Sequence, residues 1–547
     1  MIVISPMQSN SLPIGDIPTQ VFRSAEPYRN EVVLIDAESN HQFTIDDIIN
    51  QSTKLAAGLA RCGYGGRVIS VFDNTNLQCV YVYYASMMAG GAYQSLGTSI
   101  SAKSLRDRII LTQTPAIFTS RLHLARLKDA TRGLGVRIYI FDPECTPNVA
   151  VSAVDICCGS DGQGSCCCAP ISHLLIDDPT FVPVRITSKA DAMAKPAYLT
   201  YPTIHGTSPQ QPLMLSHYSL LSSQQLTRPP RLLDSANRTV VSAVPFSDAH
   251  GINIIAHFPM LSGSRVVQMS SHGSGSCLGT LEKWDAGAFL ATYSILAEID
   301  KKAVRIGDRI AIGAQSFDVS SLNVIFMHEL RATQAFKERI SALFQARLVE
   351  LYGYIETGLI AGVITEHPRI DGSVGVLCPN VSAHVVLNGK EMEDGQYGEI
   401  LVSTPRLASN VCSDSKNAGY FCTGDYGMVT ADGVVVIKAR MSDLIYMSNG
   451  EVAVPADIES VVAAHPDVVD CAAFAVPVKD AEGSHIPHVA VVPAAKASLN
   501  MDEILESLAI RYPGITGFFT DCIPRNDKGE PKRAHLRDLA CKQEARS

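Results

Sequence analysis

Apolar and polar positions along this chain fall into two periods, and the order of those periods predicts the architecture. The stretch "TIDDIINQSTKLAAGLARCG" (44–63) places Ile48, Leu55 and Leu59 on one face of an amphipathic helix. Thr44 stands where a capping side chain is needed, Asp47 follows three residues on, and Gly63 marks the stop. "RVISVFD" (67–73) then reads as a buried strand, "VYVYYASMMAGG" (80–91) as a helix and "AYQSL" (92–96) as a further strand. Short apolar runs recur at "AIFTS" (116–120), "RIYIF" (137–141), "RTVVSAVPF" (238–246) and "SRVVQM" (264–269). Strand and helix in alternation predict layered α/β structure built on parallel sheets.

Near residue 440 the character changes. "ADGVVVIKAR" predicts a strand after a turn, and "PADIESVVAAHP" a helix with Pro455 in its first turn. "DCAAFAVPV" and "HVAVVPA" predict strands, "MDEILESLAIRY" a helix, and the chain is expected to close on a short strand and a basic tail. The expected organisation is a large α/β body over 1–440, with a small barrel-like part, and a small mobile α+β domain over 441–547.

Composition narrows the function classes. A chain of 547 residues, 46% apolar and 18% charged, is globular and long enough for about three or four domains or subdomains. A net charge of -9 without a long basic run argues against a nucleic-acid or anionic membrane partner. No apolar stretch reaches the roughly 18 residues that span a bilayer. The opening "MIVISPMQSN" lacks a charged leader and the closing "ARS" is not a peroxisomal signal, so the expected location is cytoplasmic. The fifteen cysteines are expected as reduced thiols. The cluster Cys157, Cys158, Cys166, Cys167 and Cys168 lacks metal-ligand spacing, and reads as part of a Gly/Ser-rich insertion at about 155–170.

The most informative stretch is "YFCTGDYGMVTADGVVVIKARMSDLIYMSNGEVAVPADIESVVAAHPDVVDCAAFAVP" (420–477). It resembles the TGD…DG…R…G…P-x-E-I-E…HP-x-V-x-D-A-A-V signature of the adenylate-forming superfamily, which holds acyl- and aryl-CoA ligases, luciferases and peptide-synthetase adenylation domains. Upstream, "LYGYIETG" (351–358), "PFSDAHGINIIAHFPMLSGSRVV" (245–267) and "DGSVGVLCPNVSAHVV" (371–386) resemble further motifs of that family in order. The resemblance covers roughly residues 30–540. It implies ATP and Mg2+, a small-molecule carboxylic acid or acyl thioester, and CoA or a carrier thiol, which makes a carrier protein a candidate partner. By the same resemblance Asp425 would accept the ribose hydroxyls and Arg440 would contact ribose or phosphate. Glu356 would hold magnesium, a hard cation suited to a carboxylate. Tyr352, Gly353, Tyr354 and Thr357 would lie against the nucleotide. His250 and Gly251 would wall the acyl pocket, with Met327 and His328 where the family has a small turn.

Two departures accompany these matches. "TIHGTSPQQPLMLSH" (203–217) has the length of the family's phosphate loop, yet two of its glycine positions carry side chains and Pro212 stands at a third. Thr203, Thr207, Ser208 and Gln211 remain as hydrogen-bond donors, and the loop lysine is gone. In "IPRNDKGEPKRAHLRD" (523–538), Glu530 stands at the position of the family's catalytic lysine, leaving Lys528 and Lys532 as nearby replacements. Ser442 occupies the hinge position, two residues past Arg440. Three readings of function follow: an ATP-dependent acid–thiol ligase with a weakened adenylation step, a repurposed acyl transferase or cyclase that starts from a preformed adenylate or thioester, and a catalytically silent ligand-binding relative.

Overall fold

The computed structural model describes the chain except residues 1, 7–11, 142–167, 202–210, 225–238, 248–250, 329–331, 333, 363–369, 371, 409–410, 412–418, 479–483, 495–498, 526–530 and 545–547. Two large sheets organise the body. The first has seven strands in the order Leu213–Ser216, Pro196–Thr200, Ala92–Ser95, Val68–Val71, Ala116–Thr119, Arg137–Ile140 and Cys168–Pro170. All its pairings are parallel except the first, where Leu213–Ser216 runs against Pro196–Thr200. Cys168 thus belongs to an edge strand rather than to an insertion. The other four residues of the cysteine cluster lie outside the described residues.

The second sheet has two halves. Val32–Asp36, Arg265–Gln268, Thr239–Ser242, Ala288–Thr292, Val324–His328 and Arg347–Tyr354 form a parallel run. From Arg347–Tyr354 onward the neighbours Gly358–Gly362, Ser373–Leu377, Val434–Arg440, Phe421–Val429, Gly398–Ser403 and Ser382–Leu387 pair antiparallel. This antiparallel half, the part expected to be barrel-like, carries its own apolar cluster around Tyr352, Ile360, Leu377, Val402 and Val435.

Alternation along the parallel strands explains the layering, because successive side chains leave opposite faces of a sheet. Leu34 and Val240 join a core shared with Val71, Tyr93 and Phe118 of the first sheet. Ile35 and Val241, one residue on, join a second core under the helices Ser274–Lys283, Tyr293–Lys302 and Gln334–Phe344. Between the sheets the helix Cys79–Met88 is buried at every position, as a helix apolar on all sides must be. The predicted first helix spans Ile45–Arg61, with Thr44 and Asp47 forming a reciprocal capping box.

Beyond residue 440 a separate three-stranded sheet pairs Val468–Pro477, His485–Pro493 and Thr516–Phe519, flanked by the helices Pro455–Ala463 and Met501–Ala509. Much of the segment expected as a basic tail is helical. Arg533–Glu544 is a helix whose Leu536 and Ala540, one turn apart, pack on Ala472, Phe474 and Ala490. Among the described residues no helix is long and apolar enough to cross a membrane.

Candidate functional site

The strand Phe421–Val429 alternates buried and half-buried positions without a break, which sends Thr423, Asp425 and Gly427 inward. Asp425 is therefore a carboxylate on a core-facing position, fully buried. Its direct partner in the antiparallel register is Arg440, the last residue of the neighbouring strand. Register alone brings the two charges together, with Nη1 of Arg440 2.9 Å from Oδ1 of Asp425.

Tyr352 and Tyr354 arrive from the strand Arg347–Tyr354, two residues apart and on one face. Tyr352 donates its hydroxyl to Oδ2 of Asp425 at 2.9 Å, and Tyr354 donates to the same oxygen. The Tyr354 hydroxyl in turn accepts from Nη1 of Arg440 at 2.5 Å. Burial pushes both phenols well above the usual tyrosine range, and the Asp425 charge pushes the same way, so both remain donors. For Arg440 burial opposes its charge, but Asp425 and the Tyr354 hydroxyl outweigh it and raise the guanidinium pKa. Burial raises Glu399 as well, and its Oε1 accepts the Gly424 N–H at 3.2 Å beside the same carboxylate.

The turn after Tyr354 holds the next two predicted residues. Gly353 is required by close approach, since a Cβ there would lie 2.2 Å from the Gly358 carbonyl oxygen. Thr357 is fully buried and its hydroxyl accepts the Tyr354 N–H at 3.3 Å. Glu356 is also buried, and its carbonyl accepts the Ala408 N–H at 2.9 Å, tying this turn to the segment after Gly398–Ser403. Among the described residues no group of three or more His, Cys, Asp or Glu could enclose a metal. Magnesium does not need such a cage, because it commonly takes one or two carboxylates and completes its shell with water and substrate phosphates. Glu356 fits that donor set.

Of the other predicted residues, those that are described do not join this group. Thr203, Thr207, Ser208, His250, Lys528 and Glu530 lie outside the described residues. Gln211 is exposed just before the strand Leu213–Ser216. Gly251 is pinned by sterics, with a Cβ there falling 2.0 Å from the Pro245 carbonyl oxygen. Met327, expected at a substrate pocket, is fully buried in the core under the helices beside Ile325 and Phe289. The side chain of its neighbour His328 is outside the description. Lys532 is exposed, and its backbone N–H donates to the Pro524 carbonyl at 2.8 Å where the last helix begins. Ser442 is exposed in the short turn Met441–Asp443 that follows Arg440.

The last two letters of the loop motif have structural partners. Ser216 accepts the Ser219 N–H at 3.1 Å, and His217 accepts the Ile17 N–H through Nδ1 at 3.2 Å. Burial lowers His217 to about 4, with Asp16 opposing the shift and Lys195 adding to it. Two buried groups were not singled out from the sequence. His257 lies 2.9 Å from the Tyr83 hydroxyl and 3.3 Å from Oδ1 of Asn253, and burial lowers it to about 3. Arg406 is fully buried, donates from Nε to Thr404 at 3.2 Å, and has no hydrogen-bond partner for Nη1 or Nη2 among the described residues. Burial lowers its pKa to about 10, so it stays cationic near neutrality. The available signal was an arginine inside the otherwise uncharged run "ILVSTPRLAS".

A family model described as AMP-binding enzyme matches residues 21–410. The chain is 22% identical over 551 residues to 4-coumarate–CoA ligase CCL1 of Humulus lupulus, covering 96% of this chain and 94% of that protein. ATP-bound MatB from Rhodopseudomonas palustris superposes with a TM-score of 0.74 at 20% identity, covering 95% of this chain and 98% of that one. The amide bond synthetase McbA from Marinactinospora thermotolerans superposes at 0.72 and 18% identity, covering 96% and 99%.

Proposed function

The chain belongs to the AMP-binding enzyme family, within the adenylate-forming superfamily that its motifs resemble, and from that premise we propose that it is an ATP-dependent acid–thiol ligase with a weakened first step. A substrate carboxylate oxygen attacks the α-phosphorus of ATP, the bond to pyrophosphate breaks, and an acyl-adenylate forms. A thiol sulfur then attacks the acyl carbon, AMP leaves, and the thiol proton passes to solvent. CoA is the favoured thiol because the relatives named above include a CoA ligase. Fold likeness alone is compatible with amide formation too.

The observation that supports this reading most is the buried Asp425–Arg440 pair with the Tyr352 hydroxyl on Oδ2. A carboxylate and a guanidinium held together by strand register are the charge types that contacts to ribose and phosphate use. Glu356 would hold magnesium, whose charge supplies stabilisation of the phosphates when it is bound. Thr357 would position the turn that carries Glu356. Tyr352 and Gly353 would lie along the nucleotide, His250 and Gly251 along the acyl group. The large body and the domain beyond 440 would serve the two half-reactions in two orientations, with Ser442 as the hinge.

The first step is weakened because its two usual cations are missing. Gln211 stands in the loop lysine's place and Glu530 in the catalytic lysine's place. A missing donor to developing charge costs roughly 10²–10³ in rate. Lys528 or Lys532 would have to substitute. The same losses favour, as a second reading, an acyl transferase or cyclase that receives a ready-made adenylate or thioester.

Calorimetric titration with ATP–Mg2+, AMP and CoA, each alone, separates the readings. Binding of ATP–Mg2+ and AMP is expected for the ligase. Binding of CoA with no nucleotide binding would favour the second reading, and no binding of any of the three would contradict both.

A further inference from the structure

The carboxylate of Asp425 is fully buried, with two phenol donors on one oxygen and an ion pair to a guanidinium on the other. Oδ2 accepts the Tyr352 hydroxyl at 2.9 Å and the Tyr354 hydroxyl as well, while Oδ1 faces Nη1 of Arg440 at 2.9 Å. A carboxylate oxygen has about two good acceptor positions, and on Oδ2 two phenols take them. The Tyr354 hydroxyl is held from both sides, since it also accepts from Arg440 at 2.5 Å.

We infer that Tyr354 is a specificity-determining residue: its hydroxyl takes the acceptor that a ribose diol would need, so this site gains little from the diol of its nucleotide. The inference rests on the ligase reading, which assigns ribose to Asp425. A ribose hydroxyl that displaced Tyr354 would trade one O–H donor for another on the same charged oxygen, with nearly no net gain. It would also leave a buried phenol, far above its usual pKa and therefore still protonated, without that acceptor. Removing only the hydroxyl would free the oxygen and leave the ring. The Tyr354 ring packs edge-on to Tyr352 at 5.9 Å between centroids and tilted against Phe421 at 5.7 Å, contacts that phenylalanine keeps.

The test compares AMP with 2′,3′-dideoxy-AMP by calorimetry on the full-length wild type, Tyr354→Phe and Tyr354→Met. The wild type is expected to bind the two nucleotides within about threefold of each other. Both variants are expected to prefer AMP by roughly ten- to a hundredfold, the worth of a hydrogen bond to a charged group. A wild type that already prefers AMP by that margin overturns the inference and leaves the ligase reading standing, and this arm needs no substitution. Folded variants that show no new preference also overturn it. If neither nucleotide binds any of the three proteins, the ligase reading falls and takes this inference with it.

Discussion

Asp425 is at once the acceptor for two phenols and the counter-charge for a guanidinium. Its loss is therefore felt first as stability. Asp425→Ala leaves Arg440 without its partner and two buried hydroxyls without their shared oxygen. Breaking a buried pair from one side costs about 3–5 kcal/mol, and Arg440, with its side chain 32% exposed, sets the expectation at about 3 kcal/mol. Asp425→Asn keeps one acceptor oxygen and should cost less. Urea unfolding monitored by circular dichroism checks this, and an unchanged midpoint for the alanine variant would show that the cluster is not a structural keystone. Asp425, Arg440, Tyr352 and Glu356 could be selected from their letters alone, because each stands in a recognisable local motif. The aim of the Tyr354 hydroxyl could not, since its partner lies 71 residues away and is brought near only by the sheet.

At the scale of elements, local signals were legible and non-local ones were not. The helix Ile45–Arg61 forms where its cap and apolar face indicate, and both signals lie within a few residues of each other. Cys168–Pro170 is too short to announce itself as a strand and owes its place to pairing with Arg137–Ile140. The helix Arg533–Glu544 is obscured by its charge, because its apolar contacts come from a narrow stripe of Leu536, Leu539 and Ala540. Two helices are joined through His217, which starts His217–Gln224 and accepts the N–H of Ile17 at the head of Ile17–Ala25. That bond needs a neutral imidazole. The folded pKa of about 4 lies below the ordinary 6.5, so the unfolded chain takes up the proton first and stability falls as pH drops from 6.5 toward 4. The contribution lost over that window is about 3 kcal/mol. His217→Asn keeps an acceptor that does not titrate. Between about pH 7.5 and about pH 4.5 its loss of unfolding free energy should be smaller than wild type by about 2 kcal/mol, with His257 leaving a residual slope. Parallel pH dependences in the two proteins would show that His217 is not an acid-labile tie.

Over the whole molecule, the alternating pattern anticipated the parallel sheets, and the antiparallel continuation that carries Asp425 and Arg440 emerged only from pairing. Among the described residues, the joint between the body and the part beyond 440 includes an apolar cluster of Ala439, Leu444 and Val454, with Tyr426, Met441, Tyr446 and Val452 packed against it and Lys438 3.6 Å from Asp457. Ser442 is exposed in its turn beside this cluster, where a hinge residue would have room to move. Proline there would disfavour the helical backbone of Met441 and fix one orientation. Ser442→Pro is therefore expected to retain one half-reaction, adenylation or thiol transfer, and lose most of the other. Full activity in both would remove alternation from the account. The central claim, a genuine ligase whose first step is weakened at the two lysine positions, is tested most directly by pyrophosphate release. Wild type, Glu530→Lys, Lys528→Ala and Lys532→Ala would each be supplied with ATP–Mg2+ and a panel of carboxylic acids that includes 4-coumarate. The account predicts slow, acid-dependent release by wild type, a gain of roughly 10²-fold or more in Glu530→Lys, and collapse in one of the two alanine variants. Release from Glu530→Lys alone, with none from wild type under any acid, would contradict it.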